Sequence, residues 1–205
     1  MMIKNILIYG DSNTWGYIPT LEPYSGCDET QPRYGKEDMW WYDLYCNYNC
    51  YIDGNNGRTF GFDHLLLDGK NALKTIDEDI KGINKIDLCI IMLGTNDLKN
   101  VYKATSELIV GNMDKIINKI RNKFNCDFLI ICPPHIISGT PITNLWYKDG
   151  EKLIDDLGKA YKEYAIKNGY KFASAIGCEI GVDGEHLTKK GHLALREVLS
   201  KLKLE

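Results

Sequence analysis

Short apolar runs alternate along this chain with longer stretches in which apolar residues recur every three or four positions. Ile6-Leu7-Ile8-Tyr9, Ile90-Ile91-Met92-Leu93 and Phe128-Leu129-Ile130-Ile131-Cys132 carry no charge at any position. Runs of that length read as strands buried on both faces, the pattern of a parallel sheet sandwiched between helices. Helical stripes lie between them. One has Ala72, Leu73, Ile76 and Ile80, and another has Leu108, Ile109, Met113, Ile116, Ile117 and Ile120. The spacing predicts strands at 5–9, 50–53, 87–93, 128–132 and 170–173. It predicts helices beginning at 12–16, near 38–48 with Trp40, Trp41 and Leu44, and at 70–81, 106–123, 151–167 and 188–203. Such alternation implies an α/β fold, a five-stranded parallel sheet with helices on both faces. With 205 residues and 44% hydrophobic content, the chain can bury one substantial core, so residues 1–205 are expected to form a single domain.

In open sheets of this kind, ligands bind outside the carboxyl ends of the strands. Three strand ends carry residues with chemistry. The first strand runs into Gly10-Asp11-Ser12-Asn13-Thr14-Trp15-Gly16, and the second into Gly54-Asn55-Asn56-Gly57-Arg58-Thr59. The third runs into Gly94-Thr95-Asn96-Asp97. After the last strand comes Val182-Asp183-Gly184-Glu185-His186-Leu187-Thr188. A serine hydroxyl is a poor nucleophile until an imidazole takes its proton and a carboxylate orients that imidazole. Ser12, His186 and Asp183 supply those three groups. Acyl transfer also needs donors aimed at the oxygen that turns negative. The Asn96 amide and a backbone N–H of the glycine-rich turn are candidates.

These four segments together resemble the SGNH/GDSL hydrolase superfamily. The longer matches, Gly-Asp-Ser-x-Thr-Trp-Gly at 10–16, Arg58-Thr59 and Ile-Met-Leu-Gly-Thr-Asn-Asp at 91–97, resemble its bacterial arylesterase and acyltransferase branch. The resemblance implies a three-layer, flavodoxin-like fold and a serine esterase that hydrolyses or transfers small acyl groups through an acyl-enzyme. It makes Ser12 the nucleophile, His186 the general base and Asp183 its orienting acid. The oxyanion hole would be formed by Ser12 N–H, Gly57 N–H and the Asn96 side chain, although Gly54 fits the same loosely defined block as Gly57. Asn13 departs from the leucine often found beside the nucleophile, which puts a polar residue next to the reacting serine. Asn13, Trp15, His135 and Trp146 are the candidates for the substrate pocket. Relatives in this branch form homo-oligomers, so a homo-oligomer is admitted, with the aromatic-rich segment 17–37 as interface material.

Two other functions fit parts of the pattern. A carbohydrate O-acetylesterase would use the same triad. A flavodoxin-like binding module would use the same strand ends, but the phosphate-loop pattern Gly-x-x-x-x-Gly-Lys-Ser is missing. The formal net charge is −3 with both signs interspersed, which argues against nucleic acid as a partner. No apolar run approaches the roughly 20 residues that span a bilayer. Met1–Ile6 is too short for a signal-peptide core, so a cytoplasmic location is expected. The seven cysteines, odd in number and without paired spacing, read as reduced thiols, with Cys89 and Cys132 as core residues. Cys46 and Cys50 lack a second ligand pair for zinc. The chemistry itself requires no metal or cofactor, and the partner expected is a small-molecule ester. Asp63-His64 reads as a loop or interface pair, and His192 as a packing or surface residue. Asp11 and Asp97 read as carboxylates that hold loops.

Overall fold

The computed structural model describes residues 5–22, 30–44 and 47–202. Tyr24 and Cys46 lie outside those residues, as do residues 45–46 within the helix expected near 38–48 and the last residue of the one expected at 188–203. Five strands form one parallel sheet in the order β2-β1-β3-β4-β5. They are β1 (Asn5–Gly10), β2 (Asn49–Gly54), β3 (Leu88–Met92), β4 (Asp127–Cys132) and β5 (Lys171–Ser174). The helices are α1 (Ser12–Trp15), α2 (Ala72–Asp79), α3 (Ser106–Lys123), α4 (Pro141–Trp146), α5 (Gly150–Asn168) and α6 (Lys189–Ser200). This is the three-layer α/β arrangement expected.

The alternation of side chains along each strand sorts the apolar runs into two cores. Leu7, Tyr9, Cys89, Ile91, Phe128 and Ile130 face one layer, where they meet Ile76 of α2, Ile116 and Ile120 of α3, and Leu157 and Tyr161 of α5. Ile6, Ile8, Leu88, Ile90, Leu129 and Ile131 face the other. There Met39, Trp40 and Trp41, together with Leu195 and Leu199 of α6, cover them. Burying a Leu, Ile or Phe side chain is worth about 1.5–3 kcal/mol, so two such layers explain why these strands tolerate no charge.

Two expectations need correction. The described part of 38–48 is not a helix. A 3₁₀ turn at Lys36–Asp38 leads into successive turns. The indoles of Trp40 and Trp41 donate to the carbonyls of Asn13 (3.1 Å) and Thr14 (3.0 Å), and these two contacts shape the segment in place of a helical ladder. Helix α4 was not anticipated. Its apolar stripe is too short to show a period. Thr140 and Thr143 nevertheless cap it reciprocally, and Pro141 presets its first turn. Among the described residues, no helix is long and apolar enough to cross a membrane.

The strand register aligns the site. Gly10 of β1 lies opposite Gly54 of β2 and Met92 of β3. The loops that begin at residues 11, 55 and 93 therefore leave the sheet side by side.

Candidate active site

Ser12 is the first residue of α1, directly after β1. Asp11 caps this single turn by accepting the Asn13 N–H (3.0 Å). Burial pushes the Asp11 carboxyl up to about 6, opposed by that N–H. The Ser12 hydroxyl meets His186 Nε2 at 2.8 Å, and His186 Nδ1 meets Asp183 Oδ2 at 2.8 Å. Asp183 Oδ1 accepts the backbone N–H groups of Glu185 (3.2 Å) and His186 (3.1 Å), so the carboxylate also holds the turn that carries the imidazole. Burial alone would raise the Asp183 pKa, but the hydrogen bond and charge of His186 and those two N–H groups hold it below the ordinary 3.8. An ionised carboxylate can only accept, so Nδ1 carries the proton and Nε2 is free to receive one from Ser12. The Tyr17 ring packs on His186 with centroids 4.5 Å apart.

Asn13 ties the two ends of the chain together. Its Nδ2 donates to the Glu185 carbonyl (3.2 Å) and its Oδ1 accepts the Leu187 N–H (2.8 Å), one on either side of His186. The side chain is therefore spent on the backbone and is buried, so it is not a pocket residue, contrary to the sequence expectation. Replacing it with leucine, Asn13→Leu, leaves a buried N–H and a carbonyl without partners, at about 1–3 kcal/mol each. The expected result is a clear fall in the urea midpoint, and an unchanged midpoint would mean that the brace is dispensable.

Asn96 starts a 3₁₀ turn after β3, and its Nδ2 donates to the Arg58 carbonyl at 3.2 Å. The buried Arg58 guanidinium in turn donates to the carbonyls of Gly10 (3.0 Å) and Asp53 (2.9 Å) and to the Asp53 carboxylate (2.8 Å). It thus binds the ends of β1 and β2 to the loop beside Asn96. Asp97 accepts the Phe60 N–H at 2.9 and 3.0 Å, holding the same two loops together, and burial pushes its carboxyl up to about 8. Gly57 and Gly54 separate clearly. A Cβ on Gly54 would lie 2.3 Å from the Trp15 nitrogen, so that glycine exists to let α1 pack on β2. Gly57 has φ +75°, meets nothing closer than His64 at 3.8 Å, and lines the same cleft as Ser12 and Asn96.

That cleft holds about 530 Å³. Trp146 forms part of its wall. Trp15 and His135 do not line it. Trp15 stacks under the Arg33 guanidinium, 4.8 Å from its ring, and His135 pairs with Asp155 at 3.1 Å, away from the cleft. Standing just after a strand end fixes where a backbone begins and leaves the direction of the side chain open. Tyr17, at the start of the 17–37 segment, also lines it, as do Glu185, Tyr102 and His64, which the sequence does not mark as pocket residues. The Asp63-His64 pair does not act as a unit. Asp63 binds Lys74 (2.6 Å) and Asn71 (3.1 Å), while His64 faces the cleft. Among the described residues, no three His, Cys, Asp or Glu side chains cluster as metal ligands.

Residues 8–194 match the GDSL-like lipase/acylhydrolase family, and the chain belongs to that family of ester hydrolases. Among solved structures it is similar to Est24, a carbohydrate acetylesterase from Sinorhizobium meliloti. The two are 25% identical with a TM-score of 0.82 over 96% of each chain. It is also similar in fold to the native aryl esterase of M. smegmatis, with 24% identity and a TM-score of 0.86 over 97% of each chain. None of the curated proteins compared matches it.

Proposed function

We propose that this chain is a serine carboxylic ester hydrolase acting on small acyl esters through a Ser12-His186-Asp183 triad, within one catalytic domain spanning residues 1–205. The observation that carries this reading is the unbroken chain of two 2.8 Å contacts, Asp183 to His186 to Ser12, at a cleft large enough for a small ester. Ser12 Oγ attacks the ester carbonyl as its proton passes to His186 Nε2, and Asp183 stabilises the imidazolium. The carbonyl oxygen becomes an oxyanion, with Ser12 N–H, Gly57 N–H and Asn96 Nδ2 as its donors. The C–O bond then breaks, His186 returns the proton to the leaving alkoxide, and the acyl group stays on Ser12. Water, deprotonated by His186, releases the acid, and an alcohol in its place would give transfer. No step needs a metal or cofactor.

The likeness to Est24 supports a second reading, deacetylation of carbohydrate esters by the same groups. Both readings share one test. A fluorophosphonate probe should add its phosphonyl mass to the peptide bearing Ser12 and abolish hydrolysis of p-nitrophenyl acetate in step. Labelling elsewhere, or full activity after labelling, would overturn the proposal.

A further inference from the structure

We propose that segment 64–67 is a specificity wall of the cleft and that it selects esters bearing an apolar acyl or aryl group of several carbons over acetylated sugars. This rests on the serine-esterase reading and adds the substrate class. Twelve large apolar side chains are exposed among the described residues, and five of them line this one cleft. They are Leu21 (54% exposed), Leu65 (64%), Leu66 (87%), Val101 (44%) and Leu145 (65%). Single exposed leucines are ordinary, but apolar groups gathered from four separate segments around one concavity mark a surface that an apolar ligand covers. Ser12 and His186 line the same concavity, so that ligand is the substrate.

The wall is built rather than loose. His64 Nδ1 accepts the backbone N–H groups of both Leu66 and Leu67 at 3.2 Å, folding the segment into a turn on its own imidazole. Accepting at Nδ1 fixes the proton of the neutral ring on Nε2. Burial, with Lys99 and Lys70 nearby, lowers the pKa and keeps the ring neutral. On the other side Phe62 stacks on Tyr102 at 4.7 Å and 19°, and Thr59 Oγ1 both donates to the Phe62 carbonyl and accepts its N–H. Tyr102 itself lines the cleft. A sugar ring laid against leucines would leave its hydroxyls without partners, and unpaired polar groups are what a site rejects most strongly. Glu185, a carboxylate near the base of the cleft, is already engaged by the Tyr147 hydroxyl at 2.5 Å.

The test is a series of p-nitrophenyl esters from acetate to hexanoate, with 6-O-acetylglucose and acetylated xylan, which keep free hydroxyls, alongside. The wild type is expected to show kcat/KM rising with chain length, by up to about fourfold per added methylene, and low turnover of the sugar acetates. In Leu66→Ser and Leu145→Ser, both at exposed positions where folding is not at stake, the hexanoate-to-acetate ratio is expected to fall fivefold or more. His64→Phe keeps a ring but loses the acceptor, and should lower the same ratio through KM rather than kcat. A flat chain-length profile, or sugar acetates hydrolysed as fast as the aryl esters, overturns the wall. So does an unchanged ratio accompanied by a shift in sedimentation, which would place a second copy of the chain against the leucines. Fluorophosphonate labelling of the wild type is scored in parallel. Its absence from Ser12 overturns the esterase reading, whereas labelling with a flat profile overturns the wall alone.

Discussion

Replacing Ser12 by alanine is expected to lower kcat for a short aryl ester by about four to six orders of magnitude, with little change in unfolding. The loss is large because, in the proposed mechanism, serine and histidine act as one unit. Without the hydroxyl that mechanism has no nucleophile on the chain and no acyl-enzyme to form. Any residual rate comes from water attacking an ester held against the oxyanion donors. The fold should persist because the Ser12 hydroxyl has one side-chain partner, His186 Nε2, and that nitrogen opens onto the cleft once Oγ is gone. Turnover of p-nitrophenyl acetate and the urea midpoint, measured on the same preparation, decide the matter. Near wild-type turnover by Ser12→Ala would remove the serine from the mechanism.

The second large effect is expected for Asp183→Asn, at about 10⁴ in kcat. An amide can donate to His186 Nδ1, which moves the imidazole proton to Nε2 and leaves no lone pair facing Ser12. The pH profile adds a second readout. Burial pulls the His186 pKa down. The Asp183 hydrogen bond and the carboxylates of Glu185, Asp183 and Asp11 outweigh burial and raise the pKa above the ordinary 6.5. The base works only when neutral, so wild-type kcat/KM should fall as pH drops through a value above 6.5. Removing the Asp183 charge lowers the imidazole pKa, so the residual activity of Asp183→Asn should persist to lower pH. A profile unmoved by the substitution would mean that Asp183 does not govern this base.

Much of this was legible in the sequence, for specific reasons. Ile6 to Tyr9 and Ile90 to Leu93 are apolar throughout because both faces of their strands are covered. The four segments bearing Ser12, Gly57, Asn96 and His186 were visible because each follows a strand or closes the last crossover. What stayed hidden depends on side-chain direction. Asn13 sits next to Ser12, yet its amide points to the backbone around His186. Trp40 and Trp41 give an apolar pattern that suits a helix, but their indole N–H groups are held by the Asn13 and Thr14 carbonyls, and that tertiary contact overrides the local preference. In the sequence His64 stands out only as half of a loop or interface pair with Asp63. It belongs to no strand end, and its place on the cleft follows from a turn folded on its own ring.

The arrangement of α6 bears on how such a protein fails. The same stretch that delivers the imidazole continues into Leu195 and Leu199, which roof Ile8, Ile90, Leu129 and Ile131. Clipping the molecule ahead of residue 183 would spare all five strands yet strip the greasy underside of the sheet. An intact-looking but chemically silent remnant would therefore be sticky, and cellular proteases and chaperones would have an obvious handle on it. Breakage that removes His186 would therefore also uncover the apolar residues that Leu195 and Leu199 pack against.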